Sequence, residues 1–300
     1  MTRAASSPQN GRDPGLVCYL LRRVHQKISL ASSELMPGGR HPRDLALLRV
    51  ITENAPVSQQ WLGDYLAINR SVMVKLIDGL EAKGDVVRER SPDDRRSYAL
   101  RTTPSGKRTL KSLSAIARHV DSVASAPLSA EEHSRLVTLL KIVVLPRFDP
   151  PAPADLVDFA GFLVAHARLR LEAAGDARLD PMGLTIRTFV ALAILAGRGP
   201  CSQHELATEL DIGPAATVEL IDDLERLGTV RRSRNALDRR SYALELTSSG
   251  EALLARAKAT VHDATGELLS TLSEAERIEL ADLLAKLAGV ANLPTGASHS

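Results

Sequence analysis

The heptapeptide Asp94-Arg95-Arg96-Ser97-Tyr98-Ala99-Leu100 recurs unchanged as Asp238-Arg239-Arg240-Ser241-Tyr242-Ala243-Leu244, 144 positions further along the chain. If the repeat marks a duplication, the same offset must align the flanking sequence, and it does so without a gap. Ser58-Gln59 falls on Ser202-Gln203, Leu62 on Leu206, Leu66 on Leu210, Leu76-Ile77-Asp78 on Leu220-Ile221-Asp222, and Gly84 on Gly228. From Val57 to Leu100 about half the positions equal their partners. A period this long exceeds any solenoid unit, so a whole domain is duplicated. A chain of 300 residues also suits two cores better than one. The reading is a tail over 1–13, a first domain over 14–146, a connector over 147–153, a second domain over 154–291 and a tail over 292–300. Pro146, Pro150, Pro151 and Pro153 stop a helix and stiffen the connector.

Within each copy the apolar spacing predicts helices interrupted once by a short β segment. Val17, Leu20, Leu21, Val24 and Ile28 are spaced for a helix over 16–35, and a second helix is expected over 43–54. A short helix begins after Ser58 as N-cap, and another runs from Asn69 through Lys83 with Gly84 just beyond its end. In the second copy Ser202 with Glu205 forms a capping box, and Gly213-Pro214 places proline at the first helical position. The period then changes. Val86–Arg90 and Ser97–Arg101 read as two strands joined by Ser91-Pro92-Asp93-Asp94, a β-hairpin. A long helix follows Thr103-Pro104, and a last one starts at Ser129 with Glu132, repeated at Ser273 with Glu276. Two short helices followed by a charged hairpin is the winged helix-turn-helix order. The expected fold is therefore mainly α with small β-hairpin wings: two tandem winged helix-turn-helix domains. Their long flanking helices carry more apolar stripe than one lobe can bury, so they are expected to pair within the chain as an intramolecular pseudodimer.

Composition narrows the setting. Two cysteines, Cys18 and Cys201, make no disulfide framework, and no apolar run approaches the roughly 20 residues of a membrane span. The first residues lack the apolar stretch of a secretory signal. A cytoplasmic protein without a membrane partner is expected. The eight histidines, His41, His119, His133 and His204 among them, show no metal-ligand spacing, and neither a glycine-rich phosphate loop nor a nucleophile elbow occurs. Neither cofactor nor enzymatic activity is expected.

Ile77-Asp78-Gly79-Leu80-Glu81-Ala82-Lys83-Gly84-Asp85-Val86-Val87-Arg88 resembles the end of the recognition helix and the entry into the wing in the MarR family of transcriptional regulators. Asp94-Arg95-Arg96-Ser97 with Thr103-Pro104-Ser105-Gly106, and Asp238-Arg239-Arg240-Ser241 with Leu246-Thr247-Ser248-Ser249-Gly250, are similar to that family's wing tip and the Leu-Thr-x-x-Gly after it. The resemblance implies what other members form from two chains: a dimer whose first and last helices interlock and whose lobes reach neighbouring major grooves. It also implies a phenolic or other lipophilic effector and, in some members, a redox-active cysteine in the first helix. Cys18 beside Tyr19 occupies that position, but its partner at the repeat offset is Phe162.

A recognition helix meets base edges with its N-terminal residues, which makes Asn69, Arg70, Ser71, Met73 and Lys75 the candidates in the first copy and Thr217 in the second, with a helix cap as the other reading of Asn69. Arg88, Arg90, Arg95, Arg232, Arg234 and Arg239 are expected at phosphates. Arg96 and Arg240, held by Asp94 and Asp238, are expected in the minor groove. The copies differ in charge. Residues 69–108 hold ten Lys/Arg against six Asp/Glu, net +4, while residues 213–252 hold six against seven, net −1. The expected function is a DNA-binding regulator, a repressor, monomeric because it is its own dimer, on an operator with unlike halves. The alternative is a pseudodimer that has lost productive DNA binding and serves as a protein-interaction module or antirepressor.

Overall fold

The computed structural model describes residues 14–90, 98–210, 212–234 and 242–290. The first copy runs α1 (Pro14–Leu35), α2 (Asp44–Asn54), β1 (Val57–Ser58), α3 (Gln59–Leu66), α4 (Arg70–Ala82), β2 (Val86–Arg90), β3 (Tyr98–Thr102), α5 (Pro104–Ala124) and α6 (Ala130–Val144). The second repeats it as α7 (Ala160–Leu179), α8 (Ile186–Arg198), β4 (Cys201–Ser202), α9 (Gln203–Leu210), α10 (Pro214–Arg226), β5 (Val230–Arg234), β6 (Tyr242–Leu246), α11 (Ser248–Leu268) and α12 (Glu274–Ala288). The helix starts follow the expected caps. Ser58, Asn69, Thr103 and Ser129 each accept a backbone N–H from the first turn of the helix that follows.

The expected hairpin is one strand short. Each wing is a three-stranded antiparallel sheet, ordered β1-β3-β2 and β4-β6-β5. Val57 pairs with Leu100 and Cys201 with Leu244. Two-residue strands ahead of a helix N-cap leave no alternating pattern to detect, because their pairing is decided by the partner strand rather than by their own residues.

The chain divides into two compact units that do not coincide with the sequence halves. One comprises Tyr19–Arg170 with Thr271–Ala291; the other contains Leu171–Ser270 and the start of α1. The first thus holds one winged lobe together with α12 of the second copy, packed on α6. Arg135 makes a bidentate contact with Glu279, Nε to Oε1 at 2.9 Å and Nη2 to Oε2 at 2.8 Å, and Lys286 reaches Glu132 at 2.6 Å. Positions 135 and 279 are the same position of the repeat, 144 apart. Self-facing positions are what a two-fold axis produces. Here one partner is arginine and the other glutamate, where two identical chains would set like against like.

The connector is anchored rather than free. Phe148 is buried, edge-on to Tyr65 of α3 at 5.0 Å and to His166 of α7 at 5.2 Å, with the Arg170 guanidinium over its face at 5.2 Å. In the other unit Leu192, Leu195, Leu206, Leu220, Ile221, Leu224 and Leu244 form the core of the second lobe, and Cys201 lies within it. No single helix among the described residues is long and apolar enough to cross a membrane.

Candidate nucleic-acid interface

In the first lobe Met73, Leu76, Ile77 and Leu80 form the buried stripe of α4. That spacing turns Arg70, Ser71, Val74, Lys75 and Asp78 to solvent. Arg70, Ser71 and Lys75 therefore stand where expected. Met73 does not: it is 1% exposed and serves the core, so it is removed from the base-reading set. Asn69 is the N-cap. Its Oδ1 accepts the Val72 N–H at 2.9 Å and the Ser71 hydroxyl at 3.0 Å. Bidentate reading of adenine needs that same oxygen, so Asn69 orders the helix start instead of reading a base.

The second lobe has the same frame with different contents. Thr217, at the position of Met73, is fully buried and donates its hydroxyl to the Gly213 carbonyl at 2.9 Å; it too is removed from the base readers. The exposed positions of α10 are Pro214, Ala215, Val218, Glu219, Asp222 and, at its far end, Arg226. Its cap is Gly213, without a side chain to accept. The two recognition helices thus share geometry and differ in chemistry at their exposed starts, with Arg70 and Lys75 in α4 and Glu219 without a cation in α10.

Arg88 and Arg232, expected at phosphates, are each paired with carboxylates of their own lobe. Arg88 donates to Asp78 at 2.5 Å and to Glu81, both on α4, and to Gln59 of α3 at 3.3 Å. Arg232 repeats this with Asp222 at 2.9 Å and with Glu225. Each arginine ties the first wing strand to its recognition helix, so its charge is already neutralised by two carboxylates. Arg90 is exposed near the wing tip, and Arg234 ends β5 with its side chain outside the described residues. Asp94, Arg95, Arg96, Asp238, Arg239 and Arg240 all lie outside the described residues as well. At the edge of the described wings, Tyr98 and Tyr242 are exposed in matching positions, paired in register with Arg90 and Arg234.

The Thr-x-x-Gly after each wing is structural. Thr103 Oγ1 accepts the Gly106 N–H at 3.0 Å and donates to the Gly84 carbonyl at 2.6 Å, and Thr247 does the same with Gly250 and Gly228. A Cβ on Gly106 or Gly250 would overlap the carbonyl oxygen of Asp85 or Thr229, so glycine is required where the helix closes on the turn before the wing.

Of the other candidates, Cys18 is half-buried and Tyr19 exposed. Burial pushes the Cys201 thiol up, away from the thiolate a redox sensor needs. His41, His119 and His204 are exposed, and His133 is bonded to Asp121 at 3.0 Å. No cluster with metal-ligand chemistry occurs among the described residues. Val74 and Val218 went unnoticed in the sequence, although an apolar residue off the core stripe and identical across the offset is a legible signal.

Two helices joined by a tight turn, the second exposed and followed by a three-stranded wing, define a winged helix-turn-helix protein, present here twice. Residues 39–97 and residues 184–242 each match the MarR family. A transcriptional regulatory protein for the hcr operon of Thauera aromatica is 38% identical over 118 residues, 39% of this chain and 70% of that one. An HTH-type transcriptional repressor of Mycobacterium bovis is 33% identical over 127 residues, 42% of this chain and 91% of the repressor. Among solved structures, a mutant MarR of E. coli complexed with operator DNA covers 45% of this chain and 93% of its own at 26% identity, TM-score 0.39. The chain belongs to the MarR family, with the family's domain present in two copies.

Proposed function

We propose that the protein is a sequence-specific double-stranded-DNA-binding regulator, a repressor, whose two lobes read unlike half-sites. The observation that carries this reading is the exposed, N-capped start of α4 presenting Arg70, Ser71 and Lys75 within a stretch, residues 69–108, of net charge +4. Arginine and lysine donate to guanine O6 and N7, while Glu219, standing where Lys75 does, accepts from cytosine N4. Both lobes therefore carry base-reading groups, and the first supplies most of the phosphate attraction. Arg95, Arg96, Arg239 and Arg240 fill the wing-tip role, with Arg96 and Arg240 in the minor groove. Repression follows from occupying promoter DNA, and a lipophilic or phenolic effector releases it. The names of the hcr-operon and mycobacterial relatives support regulation as the role.

The acidic face of α10, with Glu219 and Asp222 exposed, favours a second reading in which that lobe docks a protein instead of DNA. Selection of bound sequences from random duplex DNA, followed by a salt titration of the winner, separates the two. Two dissimilar half-sites, a steep salt dependence and loss of binding in Arg96→Ala support the operator reading. Selection of a single half-site supports the second, and a strictly palindromic consensus counts against unlike half-sites.

A further inference from the structure

Val74 and Val218 are the same position of the repeat, and both are exposed, at 38% and 42%. An isolated exposed valine is ordinary. This pair is not isolated, because it lies on the one strip of each recognition helix that the core leaves free. In α4 the strip runs Arg70, Ser71, Val74, Lys75; in α10 it runs Pro214, Ala215, Val218, Glu219. The next residue on the strip, Asp78 or Asp222, is already taken by Arg88 or Arg232. The two strips differ at three of their four positions and agree only at the valine. Val74 sits four residues into α4, about 6 Å along the axis from Arg70, within the N-terminal turns that meet base edges.

We infer that Val74 and Val218 each read the C5-methyl group of a thymine in the major groove. A valine can neither donate nor accept a hydrogen bond, and the groove offers one apolar group, the thymine methyl. The shared valine gives both half-sites a thymine at one common position, while Lys75 and Glu219 make its neighbours differ. In the second lobe, where Pro214 and Ala215 bring no hydrogen-bonding side chain, this contact is the main selector beside Glu219. The inference rests on the DNA-binding reading and deepens it.

The test uses the full chain and the duplex obtained by selection, with each thymine replaced in turn by deoxyuridine, which removes the methyl and leaves every hydrogen-bonding group in place. Anisotropy titration is expected to show one position in each half-site where uracil weakens binding about fourfold, the worth of one buried methyl. Val74→Ala should abolish the penalty in one half-site and leave the other, and Val218→Ala should do the converse. Both valines are exposed, so the variants fold, which a matching thermal melt verifies. Uracil tolerated at every position, or a penalty that persists in both alanine variants, overturns the inference while leaving DNA binding intact. Failure to bind any duplex at low ionic strength overturns the DNA-binding reading itself, and the inference with it.

Discussion

At the scale of single residues, the two copies solve the same packing problem with different chemistry. In the first lobe Asp85 is fully buried; its carboxylate accepts from Arg40 and from the Thr109 hydroxyl at 2.8 Å. At the repeat offset the second lobe has Leu184 and Thr229, and Thr229 donates its hydroxyl to the Leu224 carbonyl at 2.9 Å. A buried ion pair is costly to break and often neutral to replace by a packed apolar solution. Arg40→Leu alone, which strands a buried carboxylate, should cost about 3–5 kcal/mol in a denaturant titration. Adding Asp85→Thr, which installs the second lobe's solution, should recover most of that loss; a double variant no better than the single one would show that the two lobes are not interchangeable here. Histidines make a second residue-scale case. Burial, then the charges of Arg168 and Arg43, pushes His25 down to about 3; burial, then Arg170 and Arg43, does the same to His166. His166 is buried and its Nδ1 has no hydrogen-bond partner among the described residues, so the fold holds it neutral. The unfolded chain takes up these protons below about pH 6.5, whereas the folded chain does so near pH 3. Their contribution is therefore intact above pH 6.5 and lost as pH falls toward 3, by up to about 1.4 kcal/mol per pH unit for each histidine. Urea midpoints measured between about pH 7 and pH 5 should fall accordingly, and His166→Phe should flatten the dependence.

Between elements, the decisive contact is the arginine that joins wing to recognition helix. Both strand and helix are readable as elements from their own periodicity, but nothing in Arg88 distinguishes a phosphate ligand from a clamp. The difference is made by Asp78 and Glu81, one helical turn apart on α4, facing the first wing strand. If Arg88 positions the wing, Arg88→Ala should weaken DNA binding while leaving the slope of log affinity against log salt unchanged, because no counterion release is lost. Arg90→Ala, at an exposed position, should lower that slope by about one. A slope reduced equally by both substitutions would return Arg88 to the phosphate contacts. The third strand of each sheet belongs to the same scale: β1 and β4 exist because β3 and β6 offer an open edge, and their own two residues hold no pattern.

For the whole molecule, joining two copies in one chain permits an asymmetry that two identical chains cannot have. Arg135 faces Glu279 at a self-facing position, and the basic start of α4, with Lys75, has an acidic counterpart in α10, with Glu219. Since α12 already occupies the face of α6, light scattering should return the mass of one chain, 32.3 kDa, at micromolar concentration. A doubled mass would mean that α6 and α12 exchange between chains.

The amino-acid sequence by itself determined the duplication, the order of helices, their caps and the place of the wings, because these rest on periodicity and on side chains that act on their own backbone. Arg70, Ser71 and Lys75 were legible for the same reason: position within a capped helix implies exposure at its start. The tertiary structure alone decided that Met73 and Thr217 face inward and that Arg88 and Arg232 are clamped. Which way a helix turns, and which carboxylate meets which arginine, depend on neighbours distant in sequence, and no local pattern encodes them.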